Sequence, residues 1–181
     1  MMHWEKISSE SVHQDRWISL RADECKLPNG KVISPYYVLE EKDWVHIIAL
    51  NGDDEVLGIE QYRYAGDTVC KEIPAGCIEE NESPLQAAQR ELKEETGFEA
   101  DRWDHVISPF ANPARQTNRI HVFKARGLVD TGIKDLDENE EIEHFFISIS
   151  ELKKKIYSGE FSQALQIASV LAVFDDNEKN L

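Results

Sequence analysis

At 181 residues the chain suffices for one domain, or one domain with a small annex, and for a substantial buried core. Its 35 acidic against 20 basic residues give a formal charge of −15. That balance argues against a nucleic-acid surface or an anionic membrane as partner, because phosphate backbones are bound by basic stripes; a small phosphorylated substrate stays open, since a local cation can invert the field inside one cleft. Cys25, Cys70 and Cys77 are odd in number and lack C-x-x-C spacing, so neither a disulfide framework nor a zinc site is expected. The start, MMHWEKISSE, has no apolar h-region, and no stretch approaches the ~20 apolar residues of a membrane span. The expectation is a cytoplasmic chain with reduced thiols and no membrane partner.

Residues 1–40 read as an N-terminal β unit. Trp17 to Leu27 and Val32 to Leu39 are strand candidates joined through Pro28-Asn29-Gly30. Two strands alone are marginal and must pack on the main body or on another subunit. Residues 41–181 form the main domain. In it Trp44 to Leu50 and Glu55 to Tyr64 are predicted strands, and Asn51-Gly52-Asp53-Asp54 between them predicts a second hairpin.

The stretch Gly76 to Phe98, GCIEENESPLQAAQRELKEETGF, carries six glutamates in 23 residues. Ser83 as N-cap, Pro84 at the first helical position, Gln86 completing a capping box and Gly97 as a left-handed stop predict a helix over 84–96. Leu85, Ala88 and Leu92 make its core-facing stripe. Glu91, Glu94 and Glu95 fall on an adjoining arc about 100° wide. Carboxylates at this spacing repel unless a cation sits among them, and a hard, oxygen-seeking divalent ion would serve; a solvated acidic face is the plain alternative. Glu91 and Glu95 border the apolar stripe, and Arg90 stands one turn before Glu94, placed to orient a carboxylate.

Beyond the helix, Trp103 to Pro109, Arg119 to Ala125 and Ile142 to Ile149 are predicted strands. Ser148-x-x-Glu151 opens a helix to about Tyr157. Phe161 to Phe174 forms a last helix, with Leu165, Ala168, Leu171 and Ala172 for packing. The acidic run 130–141 is an ordinary solvated loop by composition. The six histidines show no H-x-x-x-H pair, and none is assigned to a metal.

Gly76, five residues, Glu82, seven residues, then Arg90-Glu91-Leu92-Lys93-Glu94-Glu95-Thr96-Gly97-Phe98 resembles a complete Nudix box. Glu72-Ile73-Pro74-Ala75-Gly76 resembles the E-x-P-A-G entry of the ADP-ribose pyrophosphatase and nucleoside diphosphate sugar hydrolase branch. Pro113, 15 residues after Phe98, is similarly placed to a proline of relatives active on ADP-ribose. The resemblance implies a Nudix-type α/β/α sandwich with a mixed β-sheet beside a small antiparallel N-terminal β unit that builds a homodimer interface. It implies Mg²⁺, or Mn²⁺, held by the Ala75 carbonyl, Glu91, Glu94, Glu95 and Glu140, with Glu82 and Arg90 orienting the ligands. Glu95, Glu94, Glu138 and Glu140 are the implied catalytic carboxylates. Glu140 is the first choice of base in the Glu138-Asn139-Glu140 pattern, with Glu141 close by.

Arg63, Glu72 and Arg115 are candidate substrate contacts; an Arg63–Glu72 ion pair is the competing reading for the first two. Tyr36, Tyr37 and Trp44 lie in a segment resembling a base-stacking region. Strand alternation allows only one of Tyr36 and Tyr37 to face a given pocket, and Tyr37 with Trp44 is the choice. The implied reaction is metal-dependent cleavage of a nucleoside diphosphate sugar to a nucleoside monophosphate and a sugar phosphate. The alternatives are a dinucleoside polyphosphate or nucleoside triphosphate pyrophosphohydrolase, and a non-catalytic nucleotide-sensing domain.

Overall fold

The computed structural model describes residues 2–136 and 141–174. The chain divides into two compact units: Met1–Asp43 with Pro109–Arg119, and Trp44–Ser108 with Ile120–Leu181.

The first unit is an antiparallel sheet of β1 (Glu5–Gln14), β2 (Ser19–Lys26) and β3 (Val32–Leu39), in that order. The Pro28-Asn29-Gly30 turn appears as expected, with Gly30 at φ 85°. β1 was not anticipated. Its sequence, EKISSESVHQ, is polar and every residue is exposed, so it has no alternation to read and is held by its ladder to β2. Residues 114–117 run alongside β3: Leu39 N–H donates to the Arg115 carbonyl at 2.8 Å and Thr117 N–H to the Leu39 carbonyl at 3.2 Å.

The second unit is built on a mixed sheet ordered β7-β4-β9-β8, from β4 (Trp44–Ala49), β7 (Ala75–Cys77), β8 (Phe98–Ile107) and β9 (Ile120–Asp130), with β4 and β9 parallel. β5 (Val56–Arg63) is flanked by β6 (Thr68–Glu72) and β10 (Glu143–Ile147) in a separate antiparallel sheet. The predicted β4–β5 hairpin is therefore not formed. The turn at Asn51 exists, but both flanks of β4 are taken by β7 and β9, leaving only a single Leu50–Val56 bridge.

Helix α1 (Pro84–Thr96) starts and stops as its sequence dictates. Ser83 N–H donates to Gln86 Oε1 at 2.9 Å, the Ser83 hydroxyl accepts from Gln86 N–H, and Gly97 closes the helix at φ 77°. Ala87, Ala88 and Leu92 of α1 pack on Val45, Ile47, Ala49, Phe123 and Ala125 of the mixed sheet. Leu85, expected in this stripe, is 39% exposed. Helical side chains lean toward the N-terminus, so a first-turn residue covers the approach to the helix and not the core beneath it.

Helix α2 (Ile149–Ser158) begins at Ile149, which the sequence pattern had put in a strand, because Ser148 caps it. Helix α3 (Ala164–Phe174) meets β4 from the face opposite α1, completing the α/β/α layering. Its buried residues are Gln166, Ser169 and Val170, while Ala168 and Ala172 are exposed and Leu165 and Leu171 only partly covered, the reverse of the expected packing set. Hydropathy misleads here because both buried polar side chains find partners that anchor the helix.

Candidate active site

Strand β7 and helix α1 together bring the box carboxylates against backbone. Glu95 is buried, and its Oε2 accepts from Ala75 N–H at 3.0 Å. A Cβ on Gly76 would lie 2.0 Å from the Glu91 carboxylate, so only glycine lets β7 approach this side chain so closely. Arg90 gathers the rest. Its guanidinium donates to both oxygens of Glu82 (2.9 and 3.0 Å), to Glu91 (2.8 Å), to Glu94 (2.9 Å) and to the Cys77 carbonyl (2.9 Å). The Glu82 hydrogen bonds, followed by those of Glu91 and Glu94, outweigh burial and raise the Arg90 pKa. In return Arg90 and the Glu79 N–H hold Glu82 below the ordinary carboxylate range.

The donors here are carboxylate and carbonyl oxygens, the set suited to magnesium or manganese, and the glycine cradle admits them beside the backbone. Among the described residues, no three carboxylate, imidazole or thiolate groups already converge as a metal-binding cluster. Arg90 bridges Glu91 and Glu94, and Glu95 is turned to Ala75 N–H, so the inter-carboxylate repulsion expected from the spacing is relieved internally.

A second arrangement opens beside Ala75–Cys77, where a cavity of about 310 Å³ is lined by Trp44, His46, Arg63 and Gln163 among others. Arg63 Nε and Nη2 donate to the two oxygens of Glu72 at 2.8 and 2.6 Å, so the ion pair weighed from sequence is present. Nη1 makes no hydrogen bond among the described residues, and the side chain is 47% exposed. Glu72 is fully buried and is held from the other side by Gln166, whose Nε2 donates to it at 3.1 Å while its Oε1 accepts from Ile73 N–H at 2.7 Å. His46 is buried, with Nδ1 2.8 Å from Ser169 Oγ, and burial pushes its imidazole down to about 4. His46, Gln163, Gln166 and Ser169 were not among the expected site residues. The available signals were a lone polar residue inside the apolar strand WVHIIA and two polar residues three apart on an otherwise apolar helix.

The remaining candidates are dispersed. Tyr37 and Arg115 belong to the first unit, in a groove of about 330 Å³ also lined by Tyr36 and Ala114. Tyr36 and Tyr37 both line it, contrary to the expectation from strand alternation. The groove follows the edge that β3 shares with residues 114–116, and an edge meets residues of both faces. Asn118 is buried with neither amide atom partnered by the described protein. Glu138 and Glu140 lie outside the described residues, and Glu141 is exposed.

This geometry coincides with a clear family match: residues 42–165 match the NUDIX domain. The chain belongs to the Nudix family. Residues 4–39 of this Nudix protein match the nucleoside diphosphate sugar hydrolase N-terminal domain. It is 31% identical over 166 residues to the methanol dehydrogenase activator of Bacillus methanolicus, covering 88% of this chain and 89% of that one. It is 30% identical over 172 residues to the ADP-ribose pyrophosphatase of Mycobacterium tuberculosis (94% and 83% covered), and 30% over 159 residues to that of Bacillus subtilis (87% and 85%). A crystal structure of an ADP compounds hydrolase superposes with a TM-score of 0.83 at 20% identity, over 95% of this chain and 92% of that one, which establishes the shared fold.

Proposed function

We propose that this Nudix protein hydrolyses the pyrophosphate bond of ADP-ribose or a related nucleoside diphosphate sugar, giving a nucleoside monophosphate and a sugar phosphate. The observation carrying the reading is the set of α1 carboxylates pressed against the Ala75–Gly76 backbone, beside a cavity that holds an arginine. The two relatives named ADP-ribose pyrophosphatase and the N-terminal domain match support this substrate class.

Glu91, Glu94, Glu95 and the Ala75 carbonyl are the oxygens to hold Mg²⁺ or Mn²⁺. Such an ion, when bound, neutralises phosphate charge and acidifies a coordinated water. Arg63 presents the free edge of its guanidinium to a phosphate oxygen while Glu72 and Gln166 fix the other edge, and a planar fork so held is suited to a diphosphate. Arg90 and Glu82 keep the box carboxylates in place. Trp44 lies at the same cavity; Tyr37 and Arg115 line a groove of their own in the first unit and are kept as candidate substrate contacts there. A glutamate of the 138–141 run, Glu140 first, takes the proton from the attacking water. The water oxygen bonds to one phosphorus, the bridging P–O bond breaks, and the bridging oxygen leaves with the other phosphate. The N-terminal strands serve a homodimer, and the protein works in the cytoplasm.

The decisive assay offers ADP-ribose, GDP-mannose, UDP-glucose, a dinucleoside polyphosphate and nucleoside triphosphates with each metal, with product analysis. ADP-ribose should give AMP and ribose 5-phosphate with the highest kcat/KM. Release of inorganic pyrophosphate from a triphosphate as the dominant activity would refute the reading. Glu95→Gln, which keeps an acceptor for Ala75 N–H, should retain the fold and lose at least about a hundredfold in kcat. Wild-type turnover by that variant at saturating Mg²⁺ would remove Glu95 from the metal set.

A further inference from the structure

His46 stands out as a buried imidazole in the wall of the substrate cavity that no step above uses. Its tautomer follows from its neighbours. Ser169 Oγ lies 3.1 Å from the Leu165 carbonyl, which can only accept, and 2.8 Å from His46 Nδ1; we assign the hydroxyl proton to the carbonyl, the back-bond usual for a helical serine, so that Nδ1 carries hydrogen and donates. Nε2 is then an acceptor, and it makes no hydrogen bond among the described residues. Gln163 on the same wall is its complement. Its Oε1 accepts from Gln166 N–H at 2.9 Å, which leaves its Nε2 as a donor with no partner among the described residues.

A wall offering one acceptor and one donor matches a group that both donates and accepts. Phosphate oxygens lack the donor and an ammonium lacks the acceptor; a hydroxyl has both. The cavity also holds Arg63 and the Ala75–Gly76 backbone, where the phosphates are placed above, and the groups one pentose away from a phosphate are ribose hydroxyls. Its volume of about 310 Å³ is at the small end of ligand sites, in keeping with a sugar and not a whole dinucleotide.

We propose that His46 is a specificity residue: its Nε2 accepts a hydrogen bond from a hydroxyl of the pentose phosphate lodged against Trp44 and Arg63, so the site distinguishes ribose from deoxyribose. The inference rests on the proposed function for the identity of the ligand but can be tested apart from turnover.

Binding of ribose 5-phosphate and 2-deoxyribose 5-phosphate, and of AMP with its 2′-deoxy and 3′-deoxy forms, is measured by NMR or calorimetric titration. The two series tell whether the terminal ribose or the adenosine ribose occupies the cavity. In the wild type, one series should show the ribo form binding about tenfold or more tighter than a deoxy form. His46→Asn keeps a donor toward Ser169 and removes the acceptor from the cavity, and its ratio should fall close to one. His46→Gln, whose amide oxygen reaches the Nε2 position, should keep a ratio of several fold. Melting curves of both variants report the structural share of the Ser169 contact. Equal binding of ribo and deoxy forms by the wild type, or an undiminished ratio in His46→Asn, overturns the proposal. A His46-dependent ratio in a protein that fails to cleave ADP-ribose would leave the pentose site standing and refute the activity. Turnover of ADP-ribose with no such ratio would do the reverse.

Discussion

Gly76 shows how narrowly one position can separate stability from chemistry. The atoms that an alanine Cβ would strike are the far end of the Glu91 side chain, not backbone, so the conflict resolves by displacing that carboxylate. Gly76→Ala should therefore cost only about 1 kcal/mol in stability. It should weaken metal activation strongly, with the half-saturating Mg²⁺ concentration rising about tenfold or more. Denaturant unfolding and a metal titration of activity check the two halves separately. Asp23, in the first unit, offers a pH handle. Burial raises its pKa, but the Ser9 hydroxyl at 2.6 Å and Arg21 outweigh burial and hold the carboxyl below its ordinary value of 3.8. A folded pKa below the unfolded one means the carboxylate stabilises the native state at neutral pH, and this stability is lost as pH falls below about 4. Asp23→Asn should be less stable than wild type at pH 7, with the gap closing toward pH 3 in thermal melts.

At the level of elements, α3 carries the most instructive disagreement. The pattern ALQIASVLAVF offers apolar residues on every side, so periodicity cannot choose a face, and the polar pair Gln166 and Ser169 looks like solvent-facing punctuation. Both are buried because the groups they meet, His46, the Glu72 carboxylate and the Ile73 N–H, are themselves polar. Those partners lie more than ninety residues away, and local sequence carries no trace of them. Gln166→Leu keeps the bulk but strands the Ile73 N–H and leaves Glu72 Oε2 with Arg63 as its one hydrogen-bond donor among the described residues. It should destabilise by about 2–4 kcal/mol and lower activity through a loosened Arg63, whereas Ala168→Ser on the exposed side should change little. Denaturant midpoints distinguish them. Helix α1, by contrast, was legible to the residue, since a cap, a proline, a capping box and a left-handed glycine are all local instructions. The β4–β5 connection failed for the opposite reason: a turn was readable, but which strands flank β4 is decided by β9, some seventy residues on.

For the molecule as a whole, the box and its approach were readable because their chemistry is compressed into one short segment. The strand order, the polar β1 and the wall formed by His46 and Gln163 were not, because each depends on distant partners. The excess of 15 negative charges does not concentrate into mutual repulsion at the box. There a single guanidinium touches Glu82, Glu91 and Glu94 at once. Arg90 thus acts as a resident counter-ion, and the protein is expected to stay folded without magnesium. Exhaustive dialysis against a chelator should abolish turnover yet move the melting temperature by no more than a few degrees, with activity returning on adding the metal back. Lysine could not take over, since a point charge lacks the fork that reaches three carboxylates and the Cys77 carbonyl at once, and an Arg90→Lys protein would come to depend on dissolved cations merely to hold its shape.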